Sequence, residues 1–193
     1  MSLRKIVSGL LVLFSVSVSN AKIEQSFSLA DTNDFWNKSV VYKAEKPSDI
    51  GKTIDIWQTP EETWKKKTGD CEDFAIAKYY DLIASGVDRE KLSLAWVIMS
   101  NKAYTKNKYE SHVVVLYDIG STKWVLDNYS SEIIDLNART DFLSVQAILN
   151  HNGAKIINGN GPKIKEKWNG IIKDFDIHVN FMKNLKYPVV ASN

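Results

Sequence analysis

Apolar residues recur at Phe74, Ala75, Ile76, Ala77, Tyr79, Tyr80, Leu82 and Ile83. They fall on nearly every side of a 3.6-residue spiral, which predicts a helix enclosed by other elements rather than one lying on the surface. Asp70 stands where it can cap that helix, Asp73 occupies the capping-box position three residues on, and Gly86 follows the expected end near Ala84. Just upstream, Thr59-Pro60-Glu61-Glu62 supplies an N-cap, a proline and two acids for the first turn of another helix, which Lys65, Lys66, Lys67 and Gly69 would end. The stretch from Lys22 to Lys52 carries Phe27, Phe35, Trp36, Val40, Val41 and Tyr42 without a sustained period, and reads as short helices or loops wrapping a core.

After the enclosed helix the pattern changes. Leu92 to Met99, His112 to Tyr117, Lys123 to Leu126 and Glu132 to Asp135 predict four strands, with Asp118-Ile119-Gly120-Ser121 turning the second into the third. Asn152-Gly153 suggests a hairpin turn, Asn158-Gly159-Asn160-Gly161-Pro162 an exposed loop, and Trp168 to Leu185 fits either a helix or a strand. Helices first and strands second make an α+β protein.

The N-terminus changes the compartment. Arg4 and Lys5, an apolar run from Ile6 to Val18 and the small residues around Ala21 make a secretory signal peptide, with cleavage expected after Ala21. The run is too short to cross a bilayer comfortably. The expected organisation is therefore a signal peptide over residues 1–21 and one domain over 22–193. Removing Arg4 and Lys5 takes the 25 basic residues to 23, equal to the 23 acidic ones. An electroneutral domain lacks the basic footprint that phosphate backbones require, so nucleic acid is not an expected partner.

An exported chain with a single cysteine has no internal disulfide, and its free thiol is a candidate nucleophile. That thiol, Cys71, falls at the start of the enclosed helix, where unpaired N–H groups and the helix dipole stabilise a thiolate. The flanking acids Asp70, Glu72 and Asp73 work against this, because like charge raises a thiol's pKa, and something must neutralise them. Of the three histidines, His112 is the best-placed base, at the rim of a strand fixed by the apolar run behind it. His151, beside a turn, and His178, in the untyped C-terminal element, read as ordinary histidines. If Tyr117 pairs with Thr122 across the hairpin, His112 faces Asp127; a register one residue along puts Asn128 there instead. Either side chain would orient the imidazole.

These residues resemble the bacterial transglutaminase-like cysteine peptidases and, within them, the LapG-type periplasmic proteases. The resemblance is carried by Trp57-Gln58-Thr59-Pro60-Glu61, by Thr68-Gly69-Asp70-Cys71-Glu72-Asp73-Phe74-Ala75-Ile76-Ala77-Lys78-Tyr79, by Ser111-His112-Val113-Val114, by Val125-Leu126-Asp127-Asn128 and by Arg139-Thr140-Asp141-Phe142. It implies a papain-like, transglutaminase-type fold, with the cysteine-bearing central helix packed on an antiparallel sheet and a Cys71, His112, Asp127 triad. It also implies bound Ca²⁺ held by Asp70 and Glu72, with Asp73 a further candidate, which would supply the missing neutralisation. The implied role is periplasmic cleavage of a large surface adhesin near its N-terminal retention module, so regulating biofilm attachment, under an inner-membrane cyclic-di-GMP receptor of LapD type. Two other readings stand beside it: a transglutaminase-type acyl transferase using the same triad, and a non-catalytic calcium-dependent binding module.

Overall fold

The computed structural model describes residues 29–45, 55–100, 109–159 and 161–185; the expected signal peptide lies outside them. Residues 29–39 are helical (α1) and lead into a two-residue strand, β1 (Val41–Tyr42). Helix α2 (Pro60–Lys66), strand β2 (Thr68–Gly69) and helix α3 (Cys71–Ala84) follow almost without connection. Then come the strands β3 (Leu92–Ser100), β4 (Tyr109–Ile119), β5 (Thr122–Leu126), β6 (Ile134–Asp135), β7 (Phe142–Asn150) and β8 (Gly153–Ile156), and finally helices α4 (Gly161–Ile172) and α5 (Phe175–Asn184). The α+β expectation holds.

The caps form as the sequence dictates. Thr59 and Glu62 make a reciprocal capping box at the start of α2, with Pro60 in the first turn. Lys67, not a glycine, takes the left-handed conformation that ends that helix, at φ 55°. This sharp exit turns the chain directly into β2, which pairs in parallel with β1.

Helix α3 is the centre of the protein. Its residues from Cys71 through Leu82 are all buried, including Lys78 and Asp81. One face of the sheet packs against it through Leu92, Leu94, Val113, Val115, Tyr117, Leu126, Ala147 and Leu149. Trp36, Trp168 and Val179 bring α1, α4 and α5 into the same core. The opposite sheet face carries a smaller cluster of Ala95, Val97, Val114, Leu116 and Val125. Burial on both faces explains why β3 and β4 read as nearly continuous apolar runs.

The sheet is antiparallel, in the order β6-β5-β4-β3-β7-β8. The hairpin turn expected at Asn152-Gly153 forms between β7 and β8, with Asn150 pairing with Gly153, but the strands on either side of it carry no clear signal in the sequence. Residues Phe142–Asn150 pair with β3 through two register shifts, and their burial follows no clean alternation, so no period of two marks the segment. The 168–185 stretch resolves into the end of α4 and all of α5, two helices in place of one untyped element. The expected 158–162 loop is shorter, because Gly161 already begins α4.

The β4–β5 hairpin also differs from both expected registers. Its turn is the tight pair Gly120-Ser121, with Gly120 at φ 63°, so Ile119 pairs with Thr122, and Tyr117 with Trp124. Extended outward, this register sets Tyr129 opposite His112. Because the slip from the first expectation is two residues, Asp127 keeps its parity and stays on the same side as His112, whereas Asn128 falls on the other.

Candidate active site

Cys71 is held by a short sequence of close contacts. Strand β2 approaches the first turn of α3 so tightly that a Cβ on Gly69 would lie 2.6 Å from Asp73 Cβ, so only glycine fits. Asp73 Oδ2 accepts the N–H of Asp70 at 3.2 Å, and Asp73 Oδ1 accepts the N–H of Gln58 at 2.7 Å. The Gln58 side-chain amide also donates to Asp73 Oδ2 and, at 3.2 Å, to the carbonyl of Thr68. Asp73 thus caps α3 and staples the Trp57-Gln58 segment to it. Trp57 is carried into the cavity above the cysteine, where it meets Trp96 with ring centroids 6.3 Å apart.

That cavity, of about 260 Å³, is lined by Cys71 and His112 together with Tyr42, Trp57, Trp96 and four carboxylates, Glu45, Asp55, Asp70 and Glu72. The sheet delivers His112, whose strand neighbour is Val97 of β3. The imidazole is fixed at one nitrogen: Nε2 and Asp127 Oδ1 are 2.8 Å apart, and both side chains are almost wholly buried. Its Nδ1 is buried with no partner among the described residues. The ring of Tyr129 stacks on the imidazole at 4.6 Å and 7°.

Asp127 is held from every side. Oδ1 also accepts the N–H of Tyr129 at 3.0 Å, Oδ2 accepts Arg139 Nη1 at 2.8 Å, and its carbonyl accepts Asn37 Nδ2 of α1 at 2.9 Å. Burial acts to raise its pKa, but the hydrogen bond and charge of His112, the Tyr129 N–H and Arg139 outweigh it, so the carboxyl sits well below the usual carboxylate range. The loop that carries it is further tied to α1 by Asn33 Nδ2, which donates to the carbonyl of Ser130 at 2.9 Å. Lys78 Nζ of α3 in turn donates to Asn33 Oδ1 at 2.6 Å.

The structure therefore brings Cys71, His112 and Asp127 to one place. It leaves the other histidines elsewhere: His151 pairs with Glu90 at 2.9 Å, and His178 contacts Glu61 at 2.9 Å beneath the ring of Tyr80.

The acids beside the thiol form a mutually repelling group. The Cys71 thiol donates to Glu72 Oε2 at 3.2 Å. Burial and the Asp70 charge, with Asp55 also against it, push Glu72 up to about 9. Asp70 is raised by burial and by the charge of Asp55, and its Oδ1 is buried without a partner among the described residues. Burial raises the Cys71 thiol well above its ordinary value; the charge and hydrogen bond of Glu72 and the charge of Asp70 add to this, and the backbone N–H of Val113 opposes it.

A thiol in this setting stays protonated unless positive charge is added. The donors are hard oxygens, which suit Ca²⁺. No set of three or more acids, histidines or cysteines among the described residues already stands at ligand geometry for an ion, so the cluster matches a cation in charge but is not a finished cage. Asp73 also feels this group, since burial and the charge of Asp70 raise it to about 7, but both of its oxygens are engaged by N–H donors. Asp55, which sequence reasoning passed over, stands within the group. Lys167 of α4 pairs with Asp55 and lies over Trp57, 5.7 Å from its ring centroid. In the sequence Arg139 stands out only as part of the segment Arg139-Thr140-Asp141-Phe142.

Comparison with known proteins agrees with this geometry. The profile of the bacterial transglutaminase-like cysteine proteinases matches residues 15–159. Among solved structures, Legionella pneumophila LapG is 29% identical, with a TM-score of 0.61 over 78% of each chain. The EGTA-treated form of that protein is 28% identical with a TM-score of 0.59, covering 78% of this chain and 79% of its own. Its calcium-bound form is 27% identical with a TM-score of 0.61, covering 81% of this chain and 86% of its own. A search among curated proteins gives no match. Helices α4 and α5 lie beyond the segment that the profile matches, whereas the thiol, imidazole and carboxylate all lie within it. The chain belongs to the family of bacterial transglutaminase-like cysteine proteinases.

Proposed function

We propose that this protein is a periplasmic, calcium-dependent cysteine endopeptidase that cuts a large surface adhesin near its N-terminal retention module and so releases the cell from a biofilm. The observation that carries the reading is the imidazole of His112, which lines the same cavity as the only thiol, with Nε2 tied to Asp127 and Nδ1 unpartnered among the described residues. A nucleophile, a base and an orienter in those roles make an acyl-transfer site.

Cys71 Sγ attacks the scissile carbonyl while Nδ1 of His112 takes the thiol proton. The backbone N–H of Cys71, at the start of α3, is directed at the developing oxyanion. The imidazolium returns its proton to the leaving amine, and water, deprotonated by the same nitrogen, then hydrolyses the thioester. Asp127 stabilises the imidazolium without taking its proton. Asp55, Asp70 and Glu72 would hold Ca²⁺, which when bound cancels the negative charge beside the thiol. Trp57 and Trp96 wall the cavity where the peptide lies. An inner-membrane receptor that senses cyclic-di-GMP would restrict access.

The test mixes the purified protein with the N-terminal region of an adhesin from the same organism, with calcium or with a chelator. Cleavage in calcium, lost in chelator and in Cys71→Ala, is the expected result. No cleavage by the wild-type protein in calcium would end the protease reading, and cleavage undiminished in chelator would remove only the metal.

A further inference from the structure

We infer that Arg139 is a positioning residue for this site, fixing the plane of the Asp127 carboxylate so that one oxygen stays on His112; the inference rests on the proposed peptidase reading. Arg139 follows a short 3-10 turn, Leu136–Ala138, and its own backbone closes that turn by donating to the carbonyl of Leu136 at 3.1 Å. All three kinds of guanidinium nitrogen are in use. Nη1 donates to Asp127 Oδ2, while Nε and Nη2 donate side-on to the two oxygens of Asp141, each at 2.8 Å. The guanidinium carbon lies 3.9 Å from the centroid of Phe142, whose ring in turn sits 6.5 Å from the imidazole of His112. The Arg139 side chain is only 11% exposed and that of Asp127 1%.

Turning about the last side-chain bond moves both oxygens of a carboxylate, so the turn is resisted at both ends only when each oxygen has its own donor. His112 Nε2 and the Tyr129 N–H both engage Oδ1, so neither prevents that turn by anchoring Oδ2. Arg139 does, and a rigid fork already fastened to Asp141 loses little freedom in doing so. Asp141 has a second effect. Arg139 alone would cancel the charge of Asp127 as seen by the imidazolium, but Asp127, Arg139 and Asp141 together carry one net negative charge. The carboxylate is thus locked without being neutralised. A lysine could not span Asp127 and both oxygens of Asp141, because an ammonium offers no planar fork.

Removal of Arg139 leaves Oδ2 buried without its donor, and the imidazole loses a fixed orienter. In the adhesin-fragment assay Arg139→Met should lower kcat by roughly 10- to 100-fold, the cost of a displacement on the order of an ångström. KM should stay unchanged, since Arg139 does not line the cavity. Exogenous guanidinium should restore part of the rate in Arg139→Ala, and Asp141→Asn, which loosens the fork but keeps it, should lose less.

The far-downfield proton resonance of the His112–Asp127 hydrogen bond gives a readout that needs no proteolysis. It should broaden or shift in Arg139→Met, also on a Cys71→Ala background. An unmoved resonance, a wild-type kcat, or a loss confined to KM would overturn the inference. If the wild type fails to cut while the resonance moves in Arg139→Met, the positioning role stands and the peptidase reading falls.

Discussion

Asp127 lies one residue past the last β4–β5 pair, Val115 with Leu126, yet its carboxylate holds His112 Nε2 at 2.8 Å. The residue that the register would set opposite His112 is Tyr129, and Tyr129 does reach it, with a stacked ring rather than a hydrogen bond. One short turn after β5 therefore supplies both the orienter and a cover for the imidazole. Tyr129 performs a second task by donating its N–H to the same carboxylate oxygen.

Asp127→Asn tests the orienter. An amide keeps the size of the side chain but presents either an oxygen or an NH₂ to Nε2, and removes the charge that balances the imidazolium. The kcat should fall by roughly 10²- to 10⁴-fold, the range spanned by positioned acid–base groups and by the corresponding change in Ser-His-Asp sites. Steady-state kinetics on the adhesin fragment decide it, and a loss below about threefold would be too small for an orienter with this role.

Much of this site is legible in the chain because local signals and tertiary packing agree there. Helix α3 is apolar on every side because sheet and helices enclose it, and the Asp70-to-Asp73 spacing marks its start. Parity kept Asp127 beside His112 even though the turn proved two residues tighter than expected. What could not be read is what depends on long-range contacts. Strand β7 is broken by register shifts against β3, so its residues show no period. Asp55 and Lys167 join the acid group from distant segments, and no spacing along the chain links either of them to Cys71.

The acids around Cys71 should separate by role. Glu72→Gln, which removes a carboxylate from the group against the thiol, should weaken calcium binding measured by calorimetry by at least about tenfold, as expected for a hard-oxygen ligand. Asp73→Asn should leave calcium binding nearly unchanged. It should instead cost roughly 1–3 kcal/mol of stability, because asparagine keeps a single acceptor oxygen and turns an NH₂ toward the other donor, so either the N–H of Gln58 or that of Asp70 loses its partner. The reverse pattern in calorimetry and denaturant melts would place Asp73, rather than Glu72, among the ligands.

Lys167 is a cation that the chain itself supplies to the acid group, since it pairs with Asp55 and also acts on Asp70 and Glu45. It should compete with calcium there. A half-exposed pair of this kind is worth on the order of 1 kcal/mol, so Lys167→Met should tighten calcium binding by up to roughly fivefold. The same variant should be less stable than wild type in chelator, where nothing replaces the lost charge. A weaker calcium affinity in Lys167→Met would show that the lysine supports the site rather than competing for it.

Lys78 sets a pH dependence that separates from the chemistry. It is 1% exposed inside α3, and burial pulls its pKa from 10.5 down to about 7, with the charge of Asp127 opposing that shift. Between those two values the unfolded chain binds a proton that the folded chain does not. The contribution of Lys78 to stability therefore rises with pH across that window, with a slope of at most about 1.4 kcal/mol per pH unit. Glu72, raised to about 9 in the absence of metal, contributes the opposite slope below that value, so the comparison is best made in calcium and as a difference between two proteins. Urea melts of wild type and Lys78→Met at several pH values between about 7.5 and 9.5 should show the wild type gaining on the variant as pH rises. Asn33 keeps its bond to Ser130 in the variant, so the Asp127 loop stays tied to α1 and both proteins should still cut the adhesin fragment. Parallel stability curves would mean that Lys78 remains charged within α3.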